Sequence, residues 1–174
     1  MSNIVDDFYS NYEELSAEIE TTEKASLRVW VNESFRRVLV LTMANYLENK
    51  VKALIQGLIK EKSGSELVYS FLSNSMERQY HTYFNWESRN ANKFFSLFGE
   101  RFKNEAIKDV ASDDKLEEGI IAFLEIGNTR NILIHENLHV VDIGNKTVKE
   151  FYNSFKSATV FIDYLAKKFE STNF

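Results

Sequence analysis

The chain has 174 residues with no Pro, no Cys and only 6 Gly, and its net charge is −5. Average usage would supply roughly nine prolines, so their absence argues against a turn-rich β-sandwich or barrel. The lack of Cys removes disulfides, thiolate metal sites and Cys nucleophiles, and the acidic balance excludes a strongly basic nucleic-acid binder. Aromatic residues reach 14%, with 14 Phe, enough for one well-filled core, so a single domain over residues 1–174 is expected. No apolar run approaches the eighteen or so residues of a membrane span, and the acidic start lacks an apolar signal core. A cytoplasmic protein without membrane contact is the expectation.

Taken in chain order, most segments repeat their apolar residues every three or four positions. Ile4, Phe8, Tyr12, Leu15 and Ile19 mark a first helix. A longer stripe follows from about residue 25 to Lys62 and includes Leu39, Met43, Leu47, Val51 and Ile55. Asn32 or Ser34 could open a separate helix within it, and Gly64 supplies the stop. Ser65 is a candidate N-cap for a helix striped by Leu67, Val68, Phe71, Leu72 and Met76.

Residues 80–87 (YHTYFNWE) show no helical stripe and read as an irregular aromatic connector, with His81 packed on Tyr80 or Tyr83. A short helix is expected over 88–98, closed by Gly99, with Phe94, Phe95 and Phe98 in the core. A weaker helix spans about 100–110. Ser112, Asp113 and Asp114 could cap the next, which runs beyond Arg130. Gly144-Asn145 forms a turn. Thr147 and Glu150 then make a capping box ahead of Val148, Phe151, Phe155, Ala158, Ile162, Leu165 and Phe169. The fold class is all-α, an up-down bundle of about five to seven helices.

Chemistry concentrates in residues 127–139 (GNTRNILIHENLH), which hold two of the three histidines. Two patterns overlap there. His135-Glu136-x-x-His139 matches the zincin signature, in which two His four apart on a helix bind zinc beside a general base. Its context is poor, because Gly144 soon ends any helix and Asn145 stands where a third ligand is expected. No metal and no cofactor is therefore assigned.

The other pattern is Arg130-Asn131-x-x-x-His135. With this motif late in a helical bundle, the chain resembles the HEPN superfamily, most closely its RiboL-PSP-type branch. Residues 44–48 (ANYLE), 83–86 (YFNW) and 94–99 (FFSLFG) carry the rest of the resemblance, although Glu136 replaces the Gly that often follows the His. The resemblance implies a dimeric, metal-independent endoribonuclease that leaves a 2′,3′-cyclic phosphate and a 5′-OH. It also implies a toxin, phage-defence or stress setting with a neutralising partner.

Physically, His135 is the sensible general acid or base, since imidazole titrates near neutrality. Arg130 offers a fork of donors to phosphate, and Asn131, four residues from His135, could orient its ring or contact substrate. Glu48 matches an acidic position of the family, but pairing with Lys52 at i,i+4 explains it equally well. Arg130 and His135 lie about 140° apart on an ideal helix. Either the helix loosens, the Arg side chain wraps round, or the two groups meet across a dimer. The competing class is a non-catalytic binding module using the same cleft.

Overall fold

The computed structural model describes residues 3–21, 24–76, 79–135 and 142–171, and these contain eight helices and no strand. α1 (Ile4–Glu20) starts at Asn3, whose side-chain oxygen accepts from the amides of Val5 and Asp6 while Asp6 reaches back to Asn3. That reciprocal cap satisfies donors that a helix start otherwise leaves open.

α2 (Ala25–Ser63) is one unbroken helix of 39 residues, about 58 Å long at 1.5 Å per residue. No new helix begins at Asn32 or Ser34. Asn32 instead accepts a hydrogen bond from the Tyr12 hydroxyl at 2.9 Å, which ties α1 to α2. Gly64 ends α2 in the left-handed region at φ +60°, where a side chain would be strained.

α3 (Glu66–Met76) follows, and none of its residues is buried. Leu67 is 80% and Phe71 69% exposed, so the outer part of the apolar stripe read from the sequence stays in solvent, while Val68 and Leu72 border a groove with Leu58 and Phe102 and Met76 packs on the core. Two single turns come next, α4 (Tyr80–Tyr83) and α5 (Asn92–Ser96), and they take the helix total above the expected range. α5 is shorter than expected because the Ser88 hydroxyl donates to the Asn90 carbonyl and accepts from the Asn90 amide, which holds residues 88–90 in a turn.

α6 (Glu100–Ala111), α7 (Asp114–His135) and α8 (Val148–Ser171) complete the bundle. Asp113 caps α7 by accepting from the amides of Lys115 and Leu116. Thr147 and Glu150 form the expected capping box on α8, and every residue of its seven-member stripe is buried.

α7 and α8 pack antiparallel. A Cβ at Gly119 would come within 2.8 Å of the Ser157 carbonyl, whereas Glu125 further along α7 meets Lys146 just before α8. α2 lies across both, and α1 packs on α2 while Asp6 accepts from Tyr152 and Lys156 of α8. The Tyr9 ring stacks on Tyr152 at 3.9 Å, and burial aided by Glu13 pushes its hydroxyl pKa up to about 12.

The core is dense in aromatic rings. Phe84 stacks on Phe94 at 4.7 Å and Phe123 meets Phe161 edge-on at 5.1 Å. Each ring buried in this way contributes about 1.5–3 kcal/mol. The connector of residues 80–86 is thus fixed by its own aromatics, with Tyr80, Tyr83 and Phe84 all buried. Among the described residues, no helix is long and apolar enough to cross a membrane.

Candidate functional site

α7 stays regular through His135. Over its last two turns, residues 128–135, the buried residue is Leu133. With 100° per residue and Leu133 as origin, Arg130 points to about 60°, Ile134 to about 100°, Asn131 to about 160° and His135 to about 200°. Arg130 and His135 are therefore the two edges of one arc, with Ile134 and Asn131 between them. All four line a single cleft of about 540 Å³. The helix need not loosen for this, because the groups flank an open surface instead of stacking on one row.

The opposite walls come from elsewhere in the chain. Glu48 projects from α2, and Tyr80, His81 and Trp86 come from the aromatic connector. Gly127 makes this closure possible. A Cβ there would come within 2.1 Å of the Trp86 ring, so only a glycine lets the indole approach α7 this closely. The indole N–H donates to the His81 carbonyl at 3.0 Å and fixes the connector's path.

Charge in the cleft is arranged around Glu48. Its carboxylate lies 2.6 Å from Lys52 Nζ, the expected i,i+4 pairing, and 3.8 Å from Arg130 Nη2 across the cleft. Lys52 Nζ also sits 5.7 Å over the Tyr80 ring. Two cations face one carboxylate, which leaves the cleft with a positive surplus suited to a phosphate. Burial pushes the Tyr80 hydroxyl well above the usual phenol range, and the Glu48 charge adds to this against the opposing effect of Arg130. Tyr80 thus stays a neutral O–H near neutral pH.

Arg130 is partly open, with 34% of its side chain exposed, and its Nη1 donates to Asn131 Oδ1 at 3.1 Å. The Asn131 amide is engaged by the guanidinium, so its direct effect is to aim Arg130. His135 is exposed. Glu136 and His139 of the zincin pattern lie outside the described residues. Among the described residues no group of three or more carboxylate or imidazole side chains could hold a metal ion.

The structure brings Arg130, Asn131, His135 and Glu48 together and adds members that sequence reasoning missed. His81 is exposed at the cleft and not tucked beneath the tyrosines, because Tyr80 and Tyr83 take the buried positions of their turn. Trp86 was read as connector packing and as part of a stretch that carries the family resemblance, not as a wall of the cleft. The signal for both was Gly127, a glycine inside a strong helix pattern, which marks a close approach by another group.

A family model described as RiboL-PSP-HEPN matches residues 6–171. The all-α bundle and the motif near the end of α7 agree with it, and the chain belongs to this HEPN family. No curated protein and no solved structure matches it significantly.

Proposed function

We propose that this chain is an endoribonuclease that cleaves RNA without a metal ion, by attack of a ribose 2′-OH on the adjacent phosphorus. The observation that carries the reading is that Arg130 and His135 are accessible and line the same cleft of one protomer. The reaction requires an imidazole to move a proton and a cation to hold the phosphate as charge grows in the transition state. His135 serves the first need and Arg130 the second. Asn131 and Glu48 aim the guanidinium. The products are a 2′,3′-cyclic phosphate and a 5′-OH.

A homodimer belongs to the same proposal. Beside the cleft, exposed Ile134, Val38 and Ile4 border a shallow face that reaches Tyr46 and Arg130, and a second copy would cover these apolar groups. Membership of the HEPN family supports the further reading of a toxin or a defence or stress effector held by a neutralising protein.

The test is purified protein incubated with mixed RNA in excess EDTA, followed by analysis of the new ends. Cleavage to cyclic-phosphate ends that disappears in His135→Ala is the expected result. Failure to cut messenger, transfer or ribosomal RNA would leave a binding module in its place, and cleavage abolished by EDTA would return the metal reading.

A further inference from the structure

An amphipathic surface helix ordinarily turns its polar side to water and its apolar side to the protein. α3 is mounted the other way round. Its inner side is formed by Tyr69, Ser70, Ser73 and Met76, all half-buried, and Met76 packs on the core. The Ser73 hydroxyl is shut off from solvent with no hydrogen-bond partner among the described residues. Phe71 points about 160° away from Ser73 at 100° per residue. With Leu67, Val68 and Leu72 it forms an exposed apolar ridge.

The ridge borders a groove of about 380 Å³, in which Val68 and Leu72 face Leu58, Ile59, Phe98 and Phe102. Large apolar side chains scattered singly over a surface need no explanation, but four in one row beside an apolar groove mark a contact site. α3 also has the composition of an interface core. Glu66 is the one charged residue among its eleven, whereas 27% of the whole chain is charged.

We propose that this face pairs two copies of the chain, with the α3 ridge of each lying in the groove of the other. Size and adjacency point to this occupant. A stable pair covers about 800 Å² on each copy. α3, with 11 residues, is about 16 Å long and about 10 Å across, so one helix laid in one groove falls well short of that. A two-fold axis doubles the contact, because each copy gives a ridge and receives one. The rim supplies both signs of charge, with Lys62 on the groove and Glu66 at the start of the ridge, so the same surface on a second copy offers each its opposite.

This is a second face, distinct from the one beside the cleft. Leu58 follows Val38 by 20 positions of α2, about 30 Å along the helix axis. A chain that uses both faces assembles beyond a dimer, into a pair of pairs or an open row.

The experiment measures mass in solution by sedimentation over a wide range of concentration. It compares wild type with Phe71→Glu, with Leu67→Glu at a second position of the ridge, and with Val38→Glu on the face beside the cleft. Both ridge residues are exposed in the protomer, so their variants should keep the helical circular dichroism of wild type. Wild type should have at least twice the mass of Phe71→Glu and of Leu67→Glu at the same concentration. Equal masses overturn the proposal and would leave the ridge to a different protein. A mass lowered by Val38→Glu and by neither α3 variant overturns it too, since the face beside the cleft would then account for the whole assembly. The outcome does not depend on whether the chain cuts RNA, so the nuclease reading and this one stand or fall separately.

Discussion

Arg130 Nη2 lies 3.8 Å from Glu48 Oε2, across the gap between α7 and α2. The separation is long for a tight ion pair, and it leaves the guanidinium donors free enough to turn toward a phosphate. Glu48 thus restrains Arg130 without consuming it. Arg130→Ala should lower kcat by about 10²–10³-fold, the usual loss for a donor aimed at developing charge. Arg130→Lys keeps the charge but not the fork and should restore only part of the rate. Glu48→Gln should cost about two- to fivefold, in line with a partly exposed pair. Steady-state kinetics on one RNA checks all three, and a Glu48 effect equal to that of Arg130 would make Glu48 a participant in the chemistry.

RNA affinity should depend steeply on salt, because the net charge of −5 leaves only local cations to hold phosphate. In a His135→Ala background, which keeps the RNA intact, Arg130→Ala should weaken binding. It should also flatten the slope of log K against log salt by about 0.7 for single-stranded RNA. An unchanged slope would remove Arg130 from the phosphate.

Gly127→Ala should destabilise the protein by about 1–3 kcal/mol, the usual cost of overpacking, since the new methyl would overlap the Trp86 ring. Urea unfolding would read it. Combining it with Trp86→Leu should cost less than the sum of the two single changes, because the smaller side chain removes the clash. Strict additivity would mean that the ring and the glycine do not meet.

Acid should loosen the attachment of α1. Burial acts to raise the pKa of Asp6, but hydrogen bonds from Lys156 at 2.6 Å, Tyr152 at 2.9 Å and the Asn3 backbone outweigh it and hold the carboxyl below its ordinary value. A carboxylate favoured in the folded state stabilises it above the ordinary Asp range, and that contribution is lost as pH falls through the lowered value. Lys156 is shifted up chiefly by the same hydrogen bond, so its share fades only in strong alkali. Asp6→Asn should reduce the acid sensitivity of unfolding by an amount on the order of 1 kcal/mol or less, given the partial exposure. A parallel pH dependence in the variant would contradict this.

Much of the fold is legible in the sequence because the cues are local. Gly64 ends α2, Thr147 and Glu150 begin α8, and the stripe from Val148 to Phe169 is buried as its spacing requires. Periodicity is silent on whether an apolar face finds a partner, and α3 shows the consequence, with Leu67 and Phe71 left in solvent. The motif residues of the site were legible for the same local reason. Glu48 was legible only through the family resemblance, and the connector wall was not legible at all, since His81 and Trp86 join the cleft only through tertiary packing, 49 and 44 positions before Arg130 in the chain. The apparent 140° mismatch on α7 came from expecting Arg130 and His135 to occupy one row, when a cleft can be bordered from both sides.

Leu133 has a wider consequence than its size suggests. It is a lone apolar peg between exposed Ile132 and Ile134, and it sets the rotation of the final turns of α7 about their axis. Arg130, Asn131 and His135 all take their bearing from it. A change that lets this segment swivel by one residue's worth of angle would carry the guanidinium and the imidazole off together, spoiling their aim while each remained chemically intact. Tuning of such a protein could therefore arise from inside the bundle, at a position that no RNA could ever touch.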